Sequence, residues 1–515
     1  MASLASAPSG LANRWRNAIG AHPDRCYWIV AVLLYGTVAI YAAHGHFLYQ
    51  TSRDLWQHLA AVDALIENPW NPKNPFLPGQ EGSRHFHPYW VGMAMLARLM
   101  GWNGWQAIAA GGFVTATLLV VGIRAFALSF FRDRWAPMAL MMAMALGWSF
   151  PISHTGFHSI ETLIEGLAYP AVLLIALSLL LWALVIQALA RPAAALIVTP
   201  LTALMFATHQ LGAGIGFMVA GAFILLWPHS CWRNRLAVIL AMMVGLALAA
   251  LWSYHNPFVA MVKTGNATWT GGINFYAPTR LFLILFPSSL GLIGLWQPEY
   301  RRRAWPIMAS IAGFGLLFAT GAYGVLVATR FAPPLVLMLQ IGLAGLILML
   351  ARRWSAMSDA KQLGWFTFAS LCIAWHLMVT ISYLMIETGD NAKRGNAYAQ
   401  AQRLTADIPD QQPVAAWDVV AWPVVATGQR VMSVPWPEPM ITDLAVRQKD
   451  LEALFRPELT RSQRLAITRK WGVKTLIVDS DGPLRREMPK NLLVTLRRQS
   501  VRMRTAGPLF RFDLE

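Results

Sequence analysis

Two pairs of ionisable residues, each one helical turn apart, stand near the start of the chain: Asp54 with His58, and Asp63 with Glu67. An acid and an imidazole on one helix face are residue types for general acid–base work, provided the acid is fixed and partly out of water. Pro69, Pro72, Pro75 and Pro78 then end that helix and impose an ordered loop. The loop leads to Arg84-His85-Phe86-His87-Pro88-Tyr89-Trp90, where cations and aromatic rings sit together ahead of a short amphipathic segment. A second polar stretch, 153–170, holds His154, His158, Glu161 and Glu165 with no Lys or Arg. Its two glutamates, four apart, repel, so one needs an outside partner or a raised pKa, and His154 and His158 are candidates to supply it.

Arg330 stands much later, between the apolar runs 325–328 and 331–334, where a charge is costly unless paired. A guanidinium in that setting suits a lipid phosphate, with Tyr323, Lys263 and Arg280 as further contributors to an anionic site. Each residue also has a simpler reading. Asp54 serves equally as a first-turn carboxylate favoured by the helix dipole. Asp63 and Glu67 read as a solvated face, His209 as a satisfied polar residue at the end of an apolar run, and Arg330 as a side chain reaching the headgroups. Asp54, His158 and Glu161 are residue types that bind divalent metals, but their spacing is not diagnostic, so metal dependence stays open.

The elements that must hold these residues are apolar. Of 515 residues, 56% are hydrophobic and 13% charged, mean hydropathy is +0.45, and apolar runs recur from Cys26 to Ile386. Many are long enough to cross a bilayer as helices, which satisfy their own backbone polar groups. The net charge of +17 and pI near 10.2 follow from Lys and Arg in short loops between those runs. That is the pattern of orientation by positive charge on the cytoplasmic side, and it calls for no nucleic acid. Cys26, Cys231 and Cys372 have no metal-type or disulfide spacing. The first apolar run has no small-residue cleavage site and reads as a retained anchor, with Arg14, Arg16 and Arg25 on the cytoplasmic side. Walker-type loops, GxSxG and HExxH are absent.

Alternating the runs with their Arg-bearing loops predicts a polytopic α-helical membrane protein of about eleven spans over residues 1–386. Its outer loops fall at about 44–104, 151–166 and 254–280. Residues 387–515 read as an extracytoplasmic (periplasmic) α/β domain. Strands are expected at 414–417, 474–479 and 492–496, with helices at 443–455 and 460–471 between them.

This layout resembles the GT-C superfamily of bacterial membrane glycosyltransferases over nearly the whole chain. The resemblance rests on the acid soon after the first span (Arg53-Asp54-Leu55-Trp56-Gln57-His58-Leu59), the proline-rich run to His87-Pro88-Tyr89, the acidic second outer loop and Thr329-Arg330-Phe331. Tail segments 414–417, 427–430 and 471–479 are similar to those of the bacterial members. It implies transfer of a sugar from a polyprenyl-phosphate donor to an acceptor hydroxyl on a glycan, glycolipid or protein, usually with inversion, at the periplasmic face of the inner membrane. By position Asp54 would be the catalytic base, Glu161 the second-loop acid (many members carry Asp there), and Arg330 the ligand of the donor phosphate, helped by Tyr323 and Lys263. His58, His85, His87, His158 and His209 are the candidate substrate-binding residues. The alternatives are a secondary transporter or flippase of a lipid-linked substrate, and a non-catalytic subunit of an envelope-assembly complex. Transporters place charges at mid-membrane on broken helices and often show two similar halves, neither of which is visible here.

Overall fold

The computed structural model describes residues 22–43, 53–80, 82–147, 157–265, 275–410, 412–435, 438, 440–480 and 491–515; within these, the side chains of 53–54, 263–265, 326, 383–384 and 386–396 fall outside the description. The chain opens with α1 (Pro23–Ala31), which continues through a π-helical turn, Val32–Gly36, into α2 (Thr37–Tyr41). Next come α3 (Arg53–Glu67) and α4 (Pro88–Met100), which carry the first polar region. The apolar bundle then runs through α5 (Gly104–Phe131), α6 (Ala136–Leu146), the short α7 (Ile160–Gly166), α8 (Pro170–Ala190), α9 (Ala195–Thr208), α10 (Gln210–Leu226) and α11 (Trp232–Ala249). It continues with α12 (Pro257–Gly265), α13 (Pro278–Leu285), α14 (Gly291–Leu295), α15 (Arg301–Ala319), α16 (Ala332–Arg353) and α17 (Asp359–Thr405).

Among the described residues six helices are long and apolar enough to cross a membrane, or seven if the bent pair α13 and α14 is one span. Helices α6, α9 and α10 are apolar but shorter. The most apolar window of α8 is 78% buried and that of α16 72%, against 17% for α11 and for α17. The first two are therefore the spine of the bundle, and the last two present most of their apolar surface to the bilayer. Helix α8 packs along α5 and α10, and α16 along α14 and α6. The α14–α16 contact is backbone to backbone: a Cβ on Gly291 or Gly294 would overlap Leu339 O or Gly342 O. Small residues permit this approach, which is how helices gain packing energy where lipid removes the hydrophobic drive.

Helix α17 runs without interruption past residue 386, where the sequence suggests a domain boundary. The compact α/β part follows it: β1 (Val414–Ala416), α18 (Ala421–Ala426), α19 (Leu444–Leu454), α20 (Arg461–Trp471), β2 (Thr475–Asp479), α21 (Leu492–Gln499), β3 (Arg502–Ala506) and β4 (Leu509–Asp513). The sheet order is β1-β2-β4-β3, with β1 parallel to β2 and the other pairs antiparallel. Helix α20 shows why local sequence suffices in places: Thr460 and Gln463 form a capping box at its start, and Gly472 ends it at φ +68°. One expected strand is corrected. Residues 492–496 form a helix, because Leu492 and Leu496, four apart, are fully buried while Val494 between them is 51% exposed. An apolar run this short does not distinguish the two periodicities.

Candidate active site

Helix α3 carries Asp54 in its first turn and His58 one turn later; the Asp54 side chain lies outside the described residues. His58 is buried, and its Nδ1 accepts the Trp90 indole N–H at 2.9 Å. Its ring lies edge-on to His85 at 5.4 Å, to Tyr169 at 5.4 Å and to His87 at 6.2 Å. Tyr169 precedes α8 and follows α7, the helix of the second polar loop, so α3 brings the two polar regions of the sequence together.

His87 and His209 hold their places by the same device. Each is the N-cap of its helix, accepting a backbone N–H through Nδ1: from Trp90 at 3.5 Å for α4 and from Gly212 at 3.0 Å for α10. Pro88 at the first helical position pre-sets the turn that aims His87. The Nε2 of His87 is buried with no hydrogen-bond partner among the described residues. Arg98, at the far end of α4, donates to Ile66 O and Glu67 O and so caps the C-terminus of α3, fixing α3 against α4.

Electrostatics tie these side chains into one cluster. Burial, then the charge of Arg84, then that of His209 push His58 down to about 3. His85 is held well below the usual imidazole range by burial and by Arg84, and His87 by burial and by His58, His255 and His209. His209 is lowered to about 4 by burial and then by Arg330 and Arg84. Arg330, near the end of the 3-10 turn Leu326–Phe331, therefore acts on the cluster through His209. His255 is likewise lowered to about 4 by burial and then by Arg84, so five histidines are neutral at physiological pH, each a donor and an acceptor, with two guanidinium groups in electrostatic range.

Glu161 is buried in α7, and its Oε1 lies 3.9 Å from His376 Nδ1 on α17. That contact ties the second polar loop to α17. His158 stands apart from the cluster: its Nδ1 is 3.2 Å from Met144 O and its Nε2 3.5 Å from the Tyr35 hydroxyl, so both ring nitrogens serve to anchor the second loop to α6 and the first helical segment. His154 lies outside the described residues, as does the Lys263 side chain on α12. Tyr323 is 90% exposed, so its ring is not packed against the cluster. Asp63 is corrected from a solvated residue to a half-buried one. Burial raises it to about 6, against a lowering bond from the Gly104 N–H at the start of α5. Among the described residues no three His, Cys, Asp or Glu side chains are arranged to hold a metal ion. A cleft of about 390 Å³ between α5, α8 and α9 is lined by apolar side chains and Gln187, toward the opposite end of α8 from Tyr169.

Three members were not singled out from the sequence. Arg84 was one cation in a mixed run, His255 a lone histidine after α11, and Glu438 a lone acid in the C-terminal part. Trp252 Nε1 donates to Phe86 O at 2.8 Å and so brings the 252–255 turn onto the first loop, and His255 with it. Only tertiary contact reveals this.

The helical bundle with its small C-terminal sheet shares its fold with solved membrane glycosyltransferases of the GT-C superfamily. ArnT from Cupriavidus metallidurans, solved with undecaprenyl phosphate, superposes with a TM-score of 0.56 at 11% identity, over 97% of this chain and 98% of that one. The arabinofuranosyltransferase AftD from Mycobacteria gives 0.62 at 15% identity, over 95% of this chain and 42% of that one. The oligosaccharyltransferase of Archaeoglobus fulgidus, tethered to an acceptor peptide, gives 0.53 at 13% identity, over 88% and 69%. Neither a protein-family model nor a curated protein matches the chain by sequence. At these identities the likeness establishes the fold.

Proposed function

We propose that this chain is an integral membrane glycosyltransferase that moves a sugar from a polyprenyl-phosphate donor to an acceptor hydroxyl, with inversion, on the periplasmic face of a bacterial inner membrane. About eleven crossings would place the N-terminus in the cytoplasm and the C-terminal α/β domain outside. The observation that carries this reading is the convergence of α3, the helix bearing Asp54, with His58, His85, His87 and His209 under the charges of Arg84 and Arg330.

In this reading Asp54 takes the proton of the acceptor hydroxyl as its oxygen bonds to the anomeric carbon. The bond from that carbon to the phosphate oxygen breaks on the opposite face, and the lipid phosphate leaves with the electron pair. General-base assistance of this kind contributes about 10² to 10⁴ in rate. Arg330 stabilises the charge growing on the departing phosphate. The neutral histidines hydrogen-bond sugar hydroxyls without competing for the proton, since burial keeps them from accepting one. Glu161, held near His376, is the second acid.

The test is Asp54→Asn in the full chain, reconstituted with polyprenyl-phosphate sugars. Transfer should fall by at least about 10²-fold with donor binding retained. Transfer at the wild-type rate would remove Asp54 as the base.

A further inference from the structure

Glu438 is 4% exposed and comes from the C-terminal part of the chain. Its carboxylate is spent on the first polar loop. Oε1 accepts the Arg84 backbone N–H at 3.3 Å, and Oε2 lies 3.5 Å from Arg84 Nε and 3.6 Å from His85 Nδ1. Burial raises its pKa, while the Arg84 charge and the backbone N–H groups of Arg84 and Met440 hold it down. A buried carboxylate with these partners is tolerable only while they stay in place, so the pairing fixes both sides.

Other contacts show that the two regions meet over a surface. Val431 N–H donates to Phe76 O at 2.8 Å, Gln80 Nε2 reaches Asp443 Oδ1 at 3.4 Å, and the Phe76 ring packs between Trp422 and His85. Glu438 differs from these links in what it touches. After burial, the charge of Arg84 helps lower His58, His85 and His255, and after that of Arg330 it helps lower His209, so whatever orients Arg84 acts on four histidines of the cluster. His85, its second partner, is in edge contact with His58.

We infer that Glu438 is a positioning residue through which the C-terminal domain completes the site: it clamps the backbone and guanidinium of Arg84, and with them His85, in the geometry that transfer requires. The inference rests on the proposed glycosyltransferase reading for its consequence, but the clamp itself is a property of the chain alone. It gives the C-terminal domain a role in the chemistry, although it contributes no group that touches the reacting atoms.

Glu438→Gln keeps the shape and removes the charge, Glu438→Asp keeps the charge, and Gln80→Ala breaks a neighbouring link of the same interface without touching Arg84. Two readouts are made on the full chain in nanodiscs: hydrogen exchange over residues 82–90, and transfer from polyprenyl-phosphate sugars. Glu438→Gln should speed exchange over 82–90 and lower kcat/KM about ten-fold or more. Glu438→Asp should recover part of both, and Gln80→Ala should stay within about two-fold of wild type. In an Arg84→Ala background, Glu438→Gln should have little further effect on transfer. Unchanged exchange, unchanged transfer, or an equal loss in Gln80→Ala would each overturn the clamp as a positioning device. Faster exchange in Glu438→Gln combined with no transfer by the wild-type chain would overturn the glycosyltransferase reading and leave the clamp standing.

Discussion

Acidification should loosen the region where the first polar loop meets the C-terminal domain, and the size of the effect follows from the buried imidazoles. His58 is lowered to about 3 and His255 to about 4, both chiefly by burial, from an ordinary value of 6.5. A base whose folded pKa is depressed takes up a proton in the unfolded chain first, so its contribution is intact above about 6.5 and is lost as pH falls toward the folded value. Between about pH 7 and pH 5 each of these two histidines loses about 2 kcal/mol, at 1.36 kcal/mol for a tenfold change in proton affinity. Asp63 acts in the opposite sense. Its pKa is raised to about 6, so the folded state gains a proton in the same interval and recovers about 1.3 kcal/mol. The net loss from the three groups is therefore about 2.5 kcal/mol, and His85 and His87, also lowered, add to it. The assay is the thermal unfolding midpoint in nanodiscs at about pH 7, 6 and 5, for wild type and for His255→Phe. Among the described residues neither ring nitrogen of His255 has a hydrogen-bond partner, so the phenyl ring gives up no described bond and cannot titrate. The variant should lose clearly less stability than wild type over the same interval. A flat midpoint in wild type, or an identical fall in His255→Phe, would refute the argument.

Other expectations concern the anion site and the bundle. Arg330→Gln should lower kcat/KM for a polyprenyl-phosphate donor by about 10²-fold, with Arg330→Lys recovering only part because an ammonium lacks the planar fork; wild-type kinetics in the Gln variant would exclude Arg330 from the donor site. Gly294→Val should destabilise the bundle by about 3 kcal/mol or more, since even its Cβ would overlap a backbone carbonyl that cannot move aside. Gly313→Ala, where an added Cβ meets nothing within 4 Å, is the matched control, and equal thermal midpoints for the two variants would show that α14 and α16 are not in backbone contact.

The membrane class was legible in composition because bilayer insertion is decided by the summed transfer free energy of long segments, which residue identity alone supplies. Helix positions followed from the same runs, and so did α19, α20 and the strands at 414–416 and 475–479, each signalled by its own periodicity or caps. The run 84–90 stood out as chemically dense before any fold was known, and within it His85 and His87 but not Arg84 were singled out. Its partners did not stand out, because the energy that selects them is long-range: Glu438 meets Arg84 across |i−j| = 354 and Trp90 meets His58 across 32. The role of Asp63 turned on Gly104 being small enough for α5 to begin against it, and that of His158 on Met144 and Tyr35 reaching both its nitrogens. Which polar side chains are solvated, which brace a loop and which gather around α3 depends on desolvation and pairing in three dimensions, and no spacing along the chain encodes those.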